Sequence, residues 1–394
     1  QAASFKARQE SRRRHMQAFV DRFRAKASKA KQAQSRIKML EKLEQVAEPI
    51  SAKTVPFHFP NPKPMAPPII RVVDADLGYE EGQPVLRKVN LRLDHDDRIS
   101  ILGPNGEGKS TLVKAMNSLA GMGLTSVHDA GIDTNNLNAF KALTKENNMP
   151  IRINAMLYLP SENWQKTIDK GSFHSPDHLL NFNSVKIQAD GALGSRGAAL
   201  IEDYSDHAGH KGLLLHDTDS LNLYINSSMQ AGLQVNTHAI GDNANKIVLD
   251  TYETAIKTNN SKAMRHRVEH AQVLRLVDIP RFEELGVIAS MQATHATSDK
   301  NMAQDRLGEE RILGAYAWRK LLNANAVIAA GSDFPVESPN PFFGLHASVT
   351  RQDKDNAPEG GWFADEKMTR FEALKSFTID AAYSGHQEKL IGSL

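Results

Sequence analysis

Cysteine is missing from all 394 residues. That excludes disulfide frameworks, thiolate metal sites and cysteine nucleophiles, so any metal must be held through nitrogen and oxygen, for which 15 histidines are available. Long apolar runs are missing as well. No window approaches the ~18 consecutive apolar residues of a membrane span, and no charged-then-apolar signal peptide opens the chain. Aromatic residues make up only 6%, while 40% hydrophobic and 24% charged residues fit soluble globular protein. The expected location is cytoplasmic, with no membrane partner, and the length suits about two or three domains. Gln1 in place of an initiator Met is what a piece of a longer reading frame shows.

Proline and glycine are missing from about Phe5 to Val46, where Ala, Lys, Arg and Gln abound, and the stretch is expected to be helical. Met16, Phe19, Val20, Phe23, Ala27, Ala30, Ile37 and Leu40 form one narrow apolar stripe on a basic rod. Residues 1–48 hold 13 Lys/Arg against 5 Asp/Glu, a local +8 on a remainder of −6. Two readings stay open: an exposed helix packed in a hairpin with its charges solvated, or an arm along nucleic-acid phosphates. Pro49, Pro56, Pro60, Pro62, Pro64, Pro67 and Pro68 then mark an extended linker over 49–68.

Beyond it, Ile69–Val73, Pro84–Leu93 and Arg98–Leu102 alternate or run apolar as short strands do. The third leads directly into Gly103-Pro104-Asn105-Gly106-Glu107-Gly108-Lys109-Ser110-Thr111. Such a loop between strand and helix cradles phosphates: its glycines let backbone N–H groups turn inward, Lys109 reaches the β/γ oxygens, and Ser110 can ligate Mg²⁺. Tyr79 lies where an aromatic ring can stack on adenine. With the basic stretches Phe23–Ala27 and Gln34–Lys38, these residues closely resemble the ABC-F ATPases over about 5–114. Those are ribosome-associated proteins with two ATPase domains joined by a basic helical linker. The resemblance implies nucleotide contacts by Tyr79, Gly103, Asn105, Gly106, Gly108, Lys109, Ser110 and Thr111, and contact of the arm 5–48 with rRNA or tRNA. After Leu112, however, no glutamine loop, Ser-Gly-Gly signature or strand ending in Asp-Glu follows. Hydrolysis needs acidic residues for Mg²⁺ and for the attacking water, so weak ATP/Mg binding without turnover is expected.

From about Ala115 the rhythm changes to alternating strand and helix. Strands are expected at Leu124–Val127, Ile151–Leu157, Val185–Ala189, Leu233–Thr237, Arg267–Glu269, Val287–Met291 and Val327–Ala330, with helices such as Asn243–Lys257 between them. Regular alternation means a parallel sheet, open or closed into a barrel, one strand short of the eight in a (β/α)₈ barrel. The expected fold class is therefore α/β: an incomplete TIM-type barrel preceded by a truncated P-loop ATPase fragment and a long basic helix. The expected domains are the arm 1–48, the linker 49–68, the ATPase fragment 69–115 and the barrel 116–394.

Lys186, His238, His270 and Asp333 each fall at the end of an expected strand, and such ends converge on one mouth. Two His and an Asp are nitrogen and oxygen ligands that zinc favours. Singly, each has a plainer explanation as a hydrogen-bonded structural His, a snorkelling Lys or an Asp in a turn; together they point to a metal site. The wording around them adds to this: Thr125–Gly131, Asp190-Gly191-Ala192-Leu193-Gly194-Ser195-Arg196-Gly197, Thr237–Asp242, His266-Arg267-Val268-Glu269-His270 and Gly331–Val336. These strings resemble amidohydrolase family 3, metal-dependent hydrolases of amides and related C–N bonds, over about Met116–Leu394. By that resemblance Lys186 is carbamylated by CO₂ into a bridging carboxylate, and His238 and His270 hold the second metal. Asp333 ligates the first metal and shuttles a proton to the leaving nitrogen. The metal, zinc by ligand type, brings its water's pKa towards ~7. His295 is either a substrate contact or a structural loop histidine.

The family's first barrel strand ends in a His-x-His pair, and nothing upstream of Thr125 provides one. His128 is single, and His207 and His210 have the wrong spacing. The strand Ile99–Leu102 is a candidate for the vacant first slot, since β-α-β geometry is generic to parallel sheets. The primary expectation is a hydrolase of small amide-like substrates, impaired by the missing pair. A ribosome-associated ATP-binding fragment and an accidental fusion, joined near Lys114–Asn117, are the alternatives.

Overall fold

A computed structural model of the protein describes residues 34, 38, 70–77, 86–93 and 109–393, in two units, Gln1–Pro64 and Met65–Leu394. In the first, Gln34 and Lys38 are helical and exposed. The expected strand Arg98–Leu102, Tyr79 and the loop residues Gly103, Asn105, Gly106 and Gly108 lie outside the described residues, as does the linker 49–68. In the second unit, β1 (Ile70–Leu77) and β2 (Leu86–Leu93) pair antiparallel in a sheet of their own.

The main sheet starts after α1 (Lys109–Gly121). Its parallel strands are β3 (Ser126–Ile132), β4 (Arg152–Leu159), β6 (Leu180–Gln188), β7 (Gln234–Ala239), β8 (Arg267–His270), β9 (Ile288–Gln292) and β10 (Ile328–Gly331), neighbours in that order. A two-residue strand β5 (Phe173–His174) pairs antiparallel with β6. Helices fill the crossovers: α2 (Thr134–Lys145), α3 (Trp164–Ile168), α4 (Thr218–Gln230), α5 (Asp242–Asn259), α6 (Arg281–Leu285), α7 (Ala293–Asp299), α8 (Ala303–Arg311) and α9 (Trp318–Asn323). After β10 come α10 (Pro341–Thr350), α11 (Arg370–Phe377) and α12 (Ile379–Ser384). No helix among the described residues is long and apolar enough to cross a membrane.

Local chemistry sets the helix starts. Asp133 and Asp217 cap α2 and α4 by accepting the N–H of Asn136 and Ser220, each at 2.7 Å. Thr369 and Glu372 form a reciprocal capping box on α11. On the sheet's outer face, Val185, Val235 and Val268 are wholly buried, as are Leu221, Ile225, Val248, Leu249 and Tyr252 on α4 and α5. The outer layer is thus a conventional apolar core.

The inner face is polar instead. Arg267, 1% exposed, donates to Asn236 Oδ1 (2.8 Å), His128 Nδ1 (2.7 Å) and Ser384 Oγ (3.1 Å), and pairs with Glu269 at 2.9 Å. Asn181 donates to Asn154 Oδ1 (2.7 Å) and to the Gly385 carbonyl (3.2 Å). The turn after α12 therefore closes the floor of the sheet. This explains why β6 begins at Leu180, five residues before the expected Val185: its first residues answer partners some 200 positions away, beyond the reach of local pattern.

β3 and β10 end the strand order, and among the described residues no strand pairs with the outer edge of either. Among the described residues the architecture is a barrel-like parallel sheet of seven strands.

Two histidines outside the mouth make stability depend on pH. Burial, with Arg267 beside it, pushes His128 down to about 3. His266, which accepts from the Val235 N–H (3.0 Å), is lowered to about 3 by burial. Above pH 6.5 these rings are neutral folded or unfolded. As pH falls from 6.5 towards 3, the unfolded chain takes up protons that the folded one refuses, so stability drops. We expect a loss of about 1 kcal/mol per histidine between pH 7 and 5.5 in urea denaturation. His266→Asn, which can still accept from Val235, should flatten that dependence; an unchanged slope would contradict it.

Candidate metal centre

In a parallel sheet the strand C-termini share one rim. Lys186 on β6 and His238 on β7 face inward by strict alternation, in register with Asn236 and Glu269 respectively. His270 does not follow alternation. One residue beyond Glu269, it should turn towards the helices, but its φ of 76° is left-handed and swings the ring inward. There it stands edge-on to His238, ring centroids 4.5 Å apart, and stacked with His295 at 5.8 Å. Asp333, past the end of β10, has the same left-handed backbone, φ 56°. A non-glycine residue held there is strained and persists only where its surroundings enforce it.

His270, His295 and Asp333 form a group whose ligand atoms all lie within 4.8 Å of one another. His295 Nε2 is 3.9 Å from Asp333 Oδ2. The group shares His270 and Asp333 with the four residues singled out from sequence. It adds His295, which sequence reasoning left between substrate contact and structural residue. His238 is outside this tight group; its Nε2 lies 3.4 Å from Asp190 Oδ1. Among the described residues, neither His238 Nε2 nor His295 Nε2 finds a hydrogen-bond partner. The buried, orphaned His295 nitrogen, together with the neighbouring His270 ring and the Asp333 carboxylate, is a donor set that fits a divalent cation.

The electrostatics favour ligation. Burial, reinforced by His238, Lys186 and His295 nearby, pushes His270 well below its ordinary value. Burial and His238 lower His295 to about 4. Both rings are therefore neutral at pH 7, with a lone pair to offer. Burial also lowers Lys186, against the pull of Glu269 and Asp333. The Asp333 carboxyl is raised by partial burial, which outweighs the attraction of Lys186 and His238.

Several supporting residues lay within the quoted strings without a role assigned. Asp190, wholly buried, accepts the backbone N–H of Ala199 (2.8 Å), Ile240 (2.9 Å) and Gly241 (2.8 Å). It thereby ties the loop after β6 to the end of β7, beside His238. Gly241 must lack a side chain there, since a Cβ would sit 2.0 Å from the Ala199 carbonyl oxygen. The signal was present: an Asp-Gly step at one strand end and glycine two residues past another.

Of the expected nucleotide contacts, Lys109, Ser110 and Thr111 form the first turn of α1. The Lys109 ammonium pairs with Glu146 at 3.0 Å.

Comparison with known proteins places these features. Residues 109–394 match the model of a family described as "Amidohydrolase family", and residues 1–59 match one described as "ABC transporter". Protein LONG AFTER FAR-RED 3 of Arabidopsis thaliana is 35% identical over 259 residues, covering 64% of this chain and 43% of that protein. Protein GCN20 of Saccharomyces cerevisiae is 46% identical over 104 residues, 26% of this chain and 14% of that protein. An uncharacterized metal-dependent hydrolase from Pyrococcus furiosus, solved by crystallography, shares 29% identity at a TM-score of 0.63, covering 73% of this chain and 57% of that one. The chain spans less than half the length of these curated relatives.

The Asp190 clamp is testable by itself. Asp190→Ala leaves three buried N–H groups without their charged acceptor and should cost at least about 3 kcal/mol in urea denaturation. A loss under about 1 kcal/mol would show that the clamp is not structural.

Proposed function

The chain belongs to the amidohydrolase family through residues 109–394, and from that membership we propose that it is a metal-dependent hydrolase of amide or other non-peptide C–N bonds in small molecules. The observation that carries this reading is the group His270, His295 and Asp333, donor atoms within 4.8 Å, at the C-terminal rim of a parallel sheet. His270 and His295 would hold the ion through neutral nitrogens and Asp333 through an oxygen, with His238 and Lys186 at neighbouring strand ends. Zinc suits that set. When bound, such an ion supplies a Lewis acid that polarises a carbonyl and acidifies water.

The chain's own groups do the rest. Asp333, 38% exposed, reaches the solvent side of the rim, where its carboxylate can take a proton and hand it to a leaving nitrogen. Lys186 is buried where its charge is disfavoured, the condition under which the neutral amine can capture CO₂ as a carbamate. Glu269 and Arg267 neutralise one another below, so the Glu269 carboxylate is already partnered. No His-x-His pair occurs anywhere in the sequence, and we therefore place the activity low, with about one well-held ion per chain.

A second reading concerns the N-terminal part, where the match to an ABC transporter family supports weak ATP binding and the net +8 of residues 1–48 supports contact of the arm with nucleic-acid phosphates. Phosphate would have to displace Glu146 from Lys109.

Metal analysis of chelated and zinc-reloaded protein tests the main reading. We expect about one ion per chain, strongly reduced occupancy in His270→Ala and Asp333→Asn, and slow hydrolysis of N-acyl amides that vanishes with the ion. Failure to bind zinc, or hydrolysis that survives both substitutions, would refute it.

A further inference from the structure

We propose that Gln292 is a positioning residue that fixes His270 in the Nδ1–H tautomer, so that Nε2 is the atom this histidine offers to a metal. The inference rests on the hydrolase reading above and deepens it. Gln292 is the last residue of β9, beside the last residue of β8, and is buried. Its Oε1 lies 2.7 Å from His270 Nδ1.

Which end of the amide faces the ring follows from the other end. Gln292 Nε2 donates to the Ser290 carbonyl at 3.3 Å, leaving the oxygen for the imidazole. An amide oxygen only accepts, so a ring nitrogen at 2.7 Å must carry the proton; the other tautomer would set two lone pairs face to face. In the neutral ring, a proton on Nδ1 leaves the lone pair on Nε2.

Ser290 is anchored in turn. Its Oγ donates to Glu269 Oε2 at 2.6 Å, and Glu269 pairs with Arg267. Contacts thus run from the buried guanidinium on the floor to the ring at the mouth. Metal-bound histidines generally give their second N–H to such a partner, and its loss weakens binding. Here the partner is a neutral amide, which orients the ring without adding charge beside Asp333 and Glu269.

The test reads the tautomer without metal. In the metal-free protein with ¹⁵N-labelled histidine, ring-nitrogen shifts should show Nδ1–H for His270, assigned by its loss in His270→Gln. Gln292→Leu should lose that preference and bind zinc roughly 10–100-fold more weakly. Gln292→Glu, which still accepts, should keep the tautomer and restore affinity. An Nε2–H tautomer in the unsubstituted protein overturns the proposal, as does wild-type zinc affinity in Gln292→Leu. Should Gln292→Leu not fold, the tautomers of the unsubstituted protein and of Gln292→Glu decide alone. Absence of zinc binding alongside an Nδ1–H ring would count against the hydrolase reading and leave the tautomer assignment standing.

Discussion

Parallel hydrogen bonding keeps neighbouring strands in step, and that register is the constraint on which the rim depends. Gln188 pairs with His238, His238 with Glu269, and Glu269 with Ser290. Side chains alternate along each strand, so these four occupy one level of the inner face. A slip of one residue in β7 would turn His238 into the helical layer and bring Thr237 inward. The apolar outer face prevents this, because Val235 and Val268 must stay against the helices.

The same register creates an inner face that is unusually polar, and the polarity has to be satisfied in a dry interior. Arg267 does most of this, joining β3, β7, β8 and the last residue of α12 through one guanidinium. Its pairing with Glu269 lets a carboxylate stay charged at depth: Arg267 and Lys186 hold it below its ordinary value despite burial. Higher up, burial acts on the imidazoles in the opposite sense, removing the protons that would block ligation. Floor and mouth thus use one physical effect for two ends: charge is kept where a partner exists and suppressed where an ion is to be held.

Much of this was legible in the sequence. β/α alternation pointed to the parallel sheet, and position at the ends of expected strands brought Lys186 and His238 to one mouth. His270 was singled out in the same way, as a strand-end residue, but alternation alone sends its side chain outward and only its left-handed backbone returns it. His295 and Gln292 depended on β9 lying beside β8, a tertiary fact. Asp190 stood in a quoted string without a role because its three partners are backbone N–H groups, which no residue pattern displays. The early start of β6 was hidden for the same reason, its polar residues being answered near the C-terminus.

The central claim is that three side chains from three separate segments hold one ion at this rim. X-ray absorption at the zinc edge, joined with anomalous diffraction from zinc-loaded crystals, tests it most directly. The account predicts a zinc ion with two nitrogen and at least one oxygen ligand at about 2.0–2.2 Å, located between His270, His295 and Asp333. Zinc bound elsewhere on the chain, or liganded only by exposed residues, would contradict it.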